Sequence, residues 1–143
     1  MKFSLDQSLG FITNRTANRL RAELVNRFKQ KGYDITPDQW SVLNRLSEED
    51  GLSQNTLGKR VAKDKTNIAR IVTLMEKKGL VRREADETDR RQLNIYLTEE
   101  GENISEQLQN ITESILEDAQ RGLSADDVAH TIGVLNQIYE NLS

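Results

Sequence analysis

A chain of 143 residues, 36% hydrophobic and 30% charged but only 5% aromatic, is long enough for one core, short for two independent domains, and rich in charged helix formers that often oligomerise to bury more surface. The absence of cysteine and the single histidine, His130, exclude disulfides, thiolate chemistry and a clustered metal centre. With no run of about 18 apolar residues and no apolar stretch after Met1-Lys2-Phe3-Ser4, a cytoplasmic protein without membrane span or cofactor is expected. The net charge of −3 disfavours nucleic acid only as an average, because residues 59–91 carry eleven Lys/Arg against six Asp/Glu (+5) while residues 98–143 carry Arg121 against ten acids (−9).

From Leu5, apolar residues through Leu9, Ile12, Leu20, Leu24 and Phe28 recur at helical steps, which predicts one helix ending before Gly32. Thr36-Pro37-Asp38-Gln39 opens a second helix: Thr36 caps, Pro37 suits the first position, and Gln39 closes a capping box. Trp40, Leu43 and Leu46 form its buried face before the polar turn Glu48-Glu49-Asp50-Gly51. Ser53 caps a third helix of about ten residues, with Leu57 and Val61 inward and Gly58 where a neighbouring helix approaches. Asp64 caps the fourth, whose stripe is Ile68, Ile71, Val72 and Met75 and whose stop is Lys77-Lys78-Gly79. Two helices joined near Ala62-Lys63 make a helix-turn-helix.

The period then changes to two, with Leu93, Ile95 and Leu97 alternating with polar neighbours in a strand whose partner is Val81-Arg82-Arg83-Glu84. Ala85 to Arg91 forms the tip of a hairpin longer than a tight turn. A hairpin directly after a helix-turn-helix is a wing, so residues 53–97 read as a winged helix-turn-helix. Thr98 caps a long fifth helix with Ile104, Leu108, Ile111, Ile115 and Ala119 on one side, ending at Gly122; Gly101 is expected only to weaken its first turn. Ser124 caps a sixth helix, with Val128, Ile132, Leu135, Ile138 and Leu142 as its stripe.

The stretch LSQNTLGKRVAKDKTNIARIVTLMEKKGLVRR, followed by DETDRRQLNIYLTEEG, resembles the MarR family of transcription regulators. Its helix-turn-helix, Asp-Arg-Arg wing and Leu-Thr-x-x-Gly entry to the fifth helix appear in the family's order, and the likeness covers essentially the whole chain. The resemblance implies a mainly helical fold with a small β-hairpin wing, in one domain spanning 1–143. In it, 36–97 form the DNA-binding lobe, and 1–31 with 98–143 supply helices that interleave two subunits. Three amphipathic end helices without a covering layer independently favour a homodimer.

Recognition helices read bases through their N-terminal residues, here Lys65, Thr66, Asn67 and Arg70. With the apolar stripe inward, Thr66, Asn67 and Arg70 fall on the other side, and asparagine and arginine suit adenine and guanine respectively. Ser53, Gln54 and Thr56 begin the preceding helix, where their groups suit either phosphate oxygens or simple capping. At the wing, Arg90 or Arg91 suits the narrow minor groove, with Asp89 orienting an arginine rather than touching DNA. Thr88 stands where the family often carries a further base, and Asp86 and Glu87 add negative charge there.

Trp40 and Gln39 read as core and cap, and His130 as a surface residue. Glu99-Glu100 and Asp126-Asp127 sit at helix starts, where the helix dipole accounts for them. No nucleophile-base set or phosphate-binding glycine loop suggests an enzyme. The expected function is a homodimeric regulator, a repressor by family expectation, that binds a near-palindromic operator and responds to a small-molecule effector of unknown identity. The alternative is a winged-helix module that binds another protein, which the +5 segment disfavours.

Overall fold

Among the described residues, 2–143 of the computed structural model, six α-helices and three short strands follow one another. They are α1 (Leu9–Gln30), α2 (Pro37–Glu48), β1 (Leu52–Ser53), α3 (Gln54–Arg60), α4 (Lys65–Lys77), β2 (Val81–Ala85), β3 (Leu93–Leu97), α5 (Glu99–Ala119) and α6 (Ala125–Asn141). The mainly helical class with a β-hairpin agrees with the sequence. One boundary differs at the start, because Leu5–Gln7 is a separate 3-10 turn and Ser8 is extended (φ −83°, ψ 125°), so the helix begins at Leu9. Serine favours such flanking positions, where its hydroxyl competes with helical pairing.

Capping signals are realised almost as written. The Thr36 hydroxyl accepts the Gln39 backbone N–H at 3.1 Å while the Thr36 N–H donates to Gln39 Oε1 at 3.2 Å, closing the box. Ser124 and Asp127 do the same at α6, with both bonds at 3.0 Å, and the Asp64 carboxylate accepts the Asn67 N–H at 2.8 Å. Helix α3 is seven residues rather than ten. Ala62 turns to a left-handed conformation (φ 57°) and the Lys63 N–H donates to the Gly58 carbonyl at 2.8 Å, ending the helix early. A Cβ on Gly58 would lie 3.1 Å from Ile68 Cγ2, so this glycine lets α3 approach α4 closely.

Two compact units divide the chain, one running to Ile111 and the other from Thr112 to Ser143. The first holds the main core. Phe28 on α1 meets Trp40 on α2 edge to face at 6.3 Å, an arrangement that suits the ring quadrupoles. Val42, Leu43 and Leu46 on α2, Leu57 on α3, and Ile68, Val72 and Met75 on α4 bury completely or nearly so against the same cluster. Gln39 is buried among them, and its Oε1 also accepts the Lys78 ammonium at 3.2 Å.

The sheet is antiparallel in the order β1-β3-β2. Val81 faces Leu97, Arg83 faces Ile95 and Ala85 faces Leu93, which buries Val81, Ile95 and Leu97 on one face. Strand β1, absent from the sequence reading, pairs Leu52 with Ile95 and Ser53 with Asn94. Two residues are too few to display a period, yet they fasten the start of α3 to the wing. The Leu97 N–H adds a bond to the Asp50 carboxylate at 2.9 Å.

The second unit contains the end of α5 and all of α6. Of the stripe expected on α6, Val128 and Ile138 are half-buried, while Ile132, Leu135 and Leu142 are 55%, 39% and 84% exposed. Among the described residues, these three apolar side chains of α6 stand exposed.

Candidate nucleic-acid interface

Helix α4 presents two faces with opposite chemistry. Ile68, Ile71, Val72 and Met75 are buried, and this fixes the rotation of the helix. Lys65, Thr66 and Arg70 are consequently exposed and Asn67 is half-buried at its rim. Arg70 Nη2 donates to Asn67 Oδ1 at 3.4 Å, so the two residues expected to read bases lie side by side. Neither Lys65 nor Thr66 has a side-chain partner among the described residues.

At the start of α3 the groups expected at phosphate or cap are engaged inside the protein. Ser53 Oγ accepts the Thr56 N–H at 3.1 Å and donates to Thr56 Oγ1 at 2.9 Å. Gln54 Oε1 accepts Arg83 Nε at 3.1 Å. Capping therefore accounts for Ser53. Arg83 was not singled out in the sequence, where it is one basic residue among many. Its Nη2 donates to the Ala69 carbonyl at 2.8 Å and its Nη1 lies 3.5 Å from Glu76 Oε1. A single guanidinium on β2 thus joins the wing to both helices of the helix-turn-helix.

The wing tip is organised around a carboxylate that the sequence presented only as unwelcome negative charge. Asp86 Oδ2 accepts the Thr88 hydroxyl at 2.6 Å, the Thr88 N–H at 3.1 Å and the Asp89 N–H at 3.0 Å. Its Oδ1 accepts Asn94 Nδ2 at 2.9 Å. These bonds, the Thr88 hydroxyl first and the Asn94 amide next, hold the Asp86 carboxyl far below the usual carboxylate range. An Asp two residues before a Thr in a turn is the local signal that would have revealed it.

Because the folded pKa is depressed, the ionised Asp86 stabilises the tip fully above its ordinary value of 3.8, and this contribution declines as pH falls from there through the depressed folded value. The tip is therefore expected to keep its order from pH 8 to 5. Amide hydrogen exchange at Thr88 and Asp89 should show this, and Asp86→Ala should speed that exchange severalfold at pH 7. Wild-type protection that fades between pH 8 and 5 would contradict the assignment.

Beyond this turn the two wing arginines separate. Arg91 donates from its backbone N–H (3.1 Å) and its Nε (3.3 Å) to Asp89 Oδ1, the orienting contact expected of Asp89. Arg90 is exposed and has no hydrogen-bond or ion-pair partner among the described residues. His130 is exposed on α6, as expected. No group of three His, Cys, Asp or Glu among the described residues is placed to hold a metal, and no described helix is long and apolar enough to cross a membrane.

The arrangement has clear relatives. Residues 33–92 match the model of the MarR family. The transcriptional regulator HosA of Escherichia coli O157:H7 is 33% identical over 119 residues, covering 81% of this chain and 88% of that protein. Among solved structures, the PcaV transcriptional regulator of Streptomyces coelicolor in complex with its natural ligand shares the fold with a TM-score of 0.87 at 24% identity. The match covers 100% of this chain and 99% of PcaV. A mutant MarR from E. coli complexed with operator DNA has a TM-score of 0.82 at 24% identity, over 91% of this chain and 92% of that one. The chain belongs to the MarR family of winged-helix proteins and is a transcriptional regulator rather than an enzyme.

Proposed function

We propose that this chain is a ligand-responsive repressor that binds a near-palindromic operator as a homodimer. The observation that carries the DNA reading is the orientation of α4, whose buried stripe leaves Lys65, Thr66 and Arg70 exposed at its N-terminal half with Asn67 beside Arg70. That is the part of a recognition helix that contacts base edges in the major groove. Arg70 reads guanine and Asn67 adenine through paired hydrogen bonds. Arg90 enters the minor groove, because Arg91 is already engaged by Asp89. The guanidinium is drawn there by the groove's negative potential. Homodimerisation is supported by the apolar side chains left uncovered on α6, with Ile132 55% and Leu142 84% exposed.

Two recognition helices on a symmetric pair must match major grooves about 34 Å apart. An effector bound between the dimer helices and the lobes would favour other spacings and release the operator. The solved relatives bound to operator DNA and to a natural ligand support both halves of this reading.

The test is fluorescence anisotropy on a duplex selected by the protein from a random pool, and on a scrambled duplex, across salt concentrations. Affinity should prefer the selected duplex and fall steeply with salt. Arg70→Ala should cost about 1 to 3 kcal/mol of discrimination at one base position, whereas Arg90→Ala should weaken both duplexes. No binding at low salt would instead favour a protein-binding winged helix. Equal loss on both duplexes from Arg70→Ala would remove its base-reading role.

A further inference from the structure

The basic segment is less uniformly available than its charge suggests. Of its eleven cations, Arg60, Lys63, Lys78, Arg82, Arg83 and Arg91 each reach a carboxylate within ion-pair distance. Lys59, Lys65, Arg70, Lys77 and Arg90 have no such partner among the described residues. Two of these five, Lys59 and Lys65, line one concave surface between α3 and α4, together with Asn55, Gly58 and Ile68.

We propose that this junction is a seat for one phosphate of the DNA backbone, held by the ammonium groups of Lys59 and Lys65. The inference rests on the DNA-binding reading above, and it gives Lys65 a phosphate role in place of base reading. Lys63 and Asp64 also line the hollow but are engaged: the Lys63 ammonium lies 3.1 Å from Asp38 Oδ1, and Asp64 Oδ1 caps α4 through the Asn67 N–H at 2.8 Å. Three lysines against Asp38 and Asp64 leave one positive charge at the hollow. A phosphodiester carries one negative charge and balances it, whereas a free phosphate near neutral pH carries more.

Ammonium groups suit this task because each binds a phosphate oxygen as a compact point charge on a flexible stem, so one from α3 and one from α4 can close on the same group. The Ser53 hydroxyl and the Gln54 amide oxygen at the start of α3 are engaged by Thr56 and Arg83, and among the residues that line the hollow Lys59 and Lys65 are the cations without a carboxylate partner. A phosphate bound here fixes the register of the helix in the groove without carrying sequence information.

The experiment measures affinity against salt for wild type, Lys59→Gln/Lys65→Gln and Lys63→Gln on the selected and scrambled duplexes. Each neutralised phosphate contact lowers the slope of log K against log salt by about 0.9. The double variant loses one phosphate contact and should therefore flatten the slope by roughly 0.9 for each reading head. It should weaken both duplexes about equally and melt at the wild-type temperature, because both lysines are exposed and unpaired. Lys63→Gln should leave the slope unchanged.

An unchanged slope in the double variant, or an equal flattening by Lys63→Gln, would overturn the assignment. So would loss confined to one base position. A second arm replaces chloride with inorganic phosphate at equal ionic strength. If phosphate competes with DNA for wild type but not for the double variant, DNA and the oxyanion share the hollow, as the assignment requires; phosphate bound by wild type and lost in the double variant, with no effect on DNA affinity, would make the hollow a free-oxyanion site and overturn the backbone assignment. Absence of any DNA binding by wild type at low salt would defeat the DNA reading itself, and is distinguishable from a flat slope in one variant alone.

Discussion

Gly101→Ala is expected to destabilise the protein by about 3 kcal/mol or more, although alanine in a helix is normally favoured over glycine by about 1 kcal/mol. The reason lies across the fold. A Cβ at this position would stand 2.1 Å from the Leu80 carbonyl oxygen and 3.3 Å from Leu97 Cδ2. The oxygen belongs to backbone and cannot swing aside as a long side chain would. It is also already in use, accepting the Thr98 N–H at 3.0 Å, while the Thr98 hydroxyl donates to the Gly79 carbonyl at 2.6 Å and accepts the Gly101 N–H at 3.0 Å. Relief of the clash would have to move the start of α5 away from the segment that ends α4 and so break this cluster. The measurement is thermal unfolding at fixed protein concentration, since assembly adds a concentration-dependent term. A fall of roughly 10 °C is expected. A melting temperature at or above wild type would show that the first turn of α5 can move freely.

Gly101 also marks the limit of what the sequence reveals. Capping boxes at Thr36-Gln39 and Ser124-Asp127 are local, each made by residues three apart, so their chemistry can be read before the fold is known. The same holds for the α4 stripe, because a period of 3.6 forces Ile68, Ile71, Val72 and Met75 to one side and thereby exposes Arg70. The choice between Arg90 and Arg91 could not be made that way, since it depends on which one the turn brings against Asp89. Gly101 needs Leu80, β1 needs Ile95 and Arg83 needs Gln54 and Ala69, all partners distant in sequence. Nothing in the spacing of basic residues distinguishes the cations held by carboxylates from those left free. The charge sum marks a basic segment but not which of its cations are free.

Arg83→Ala should do its largest damage to DNA discrimination, although the Arg83 guanidinium is engaged inside the protein and acts through the placement of other residues. The wild-type guanidinium bonds at once to the start of α3 and to the middle of α4, while the backbone that carries it belongs to β2 of the wing. Its side chain is 20% exposed whereas Glu76 is 43% exposed, so solvent screens the ion pair and the two hydrogen bonds dominate. Their loss should lower stability by about 2 kcal/mol. The larger effect concerns geometry. On the proposed DNA reading, Arg70 on α4 and Arg90 on the wing meet one duplex together, and freeing β2 from α4 lets their separation vary. Affinity for the selected duplex is therefore expected to fall about 100-fold, with a much smaller loss on the scrambled one, since a displacement on the order of 1 Å is enough to spoil paired hydrogen bonds. Arg83→Lys separates charge from geometry: it keeps the cation, but one ammonium cannot span Gln54, Ala69 and Glu76, so discrimination should stay low. A double-mutant cycle with Gln54→Ala should give a coupling of about 1 kcal/mol. If Arg83→Ala leaves the ratio of selected to scrambled affinity unchanged, the wing and recognition helix are held in register by something other than this side chain.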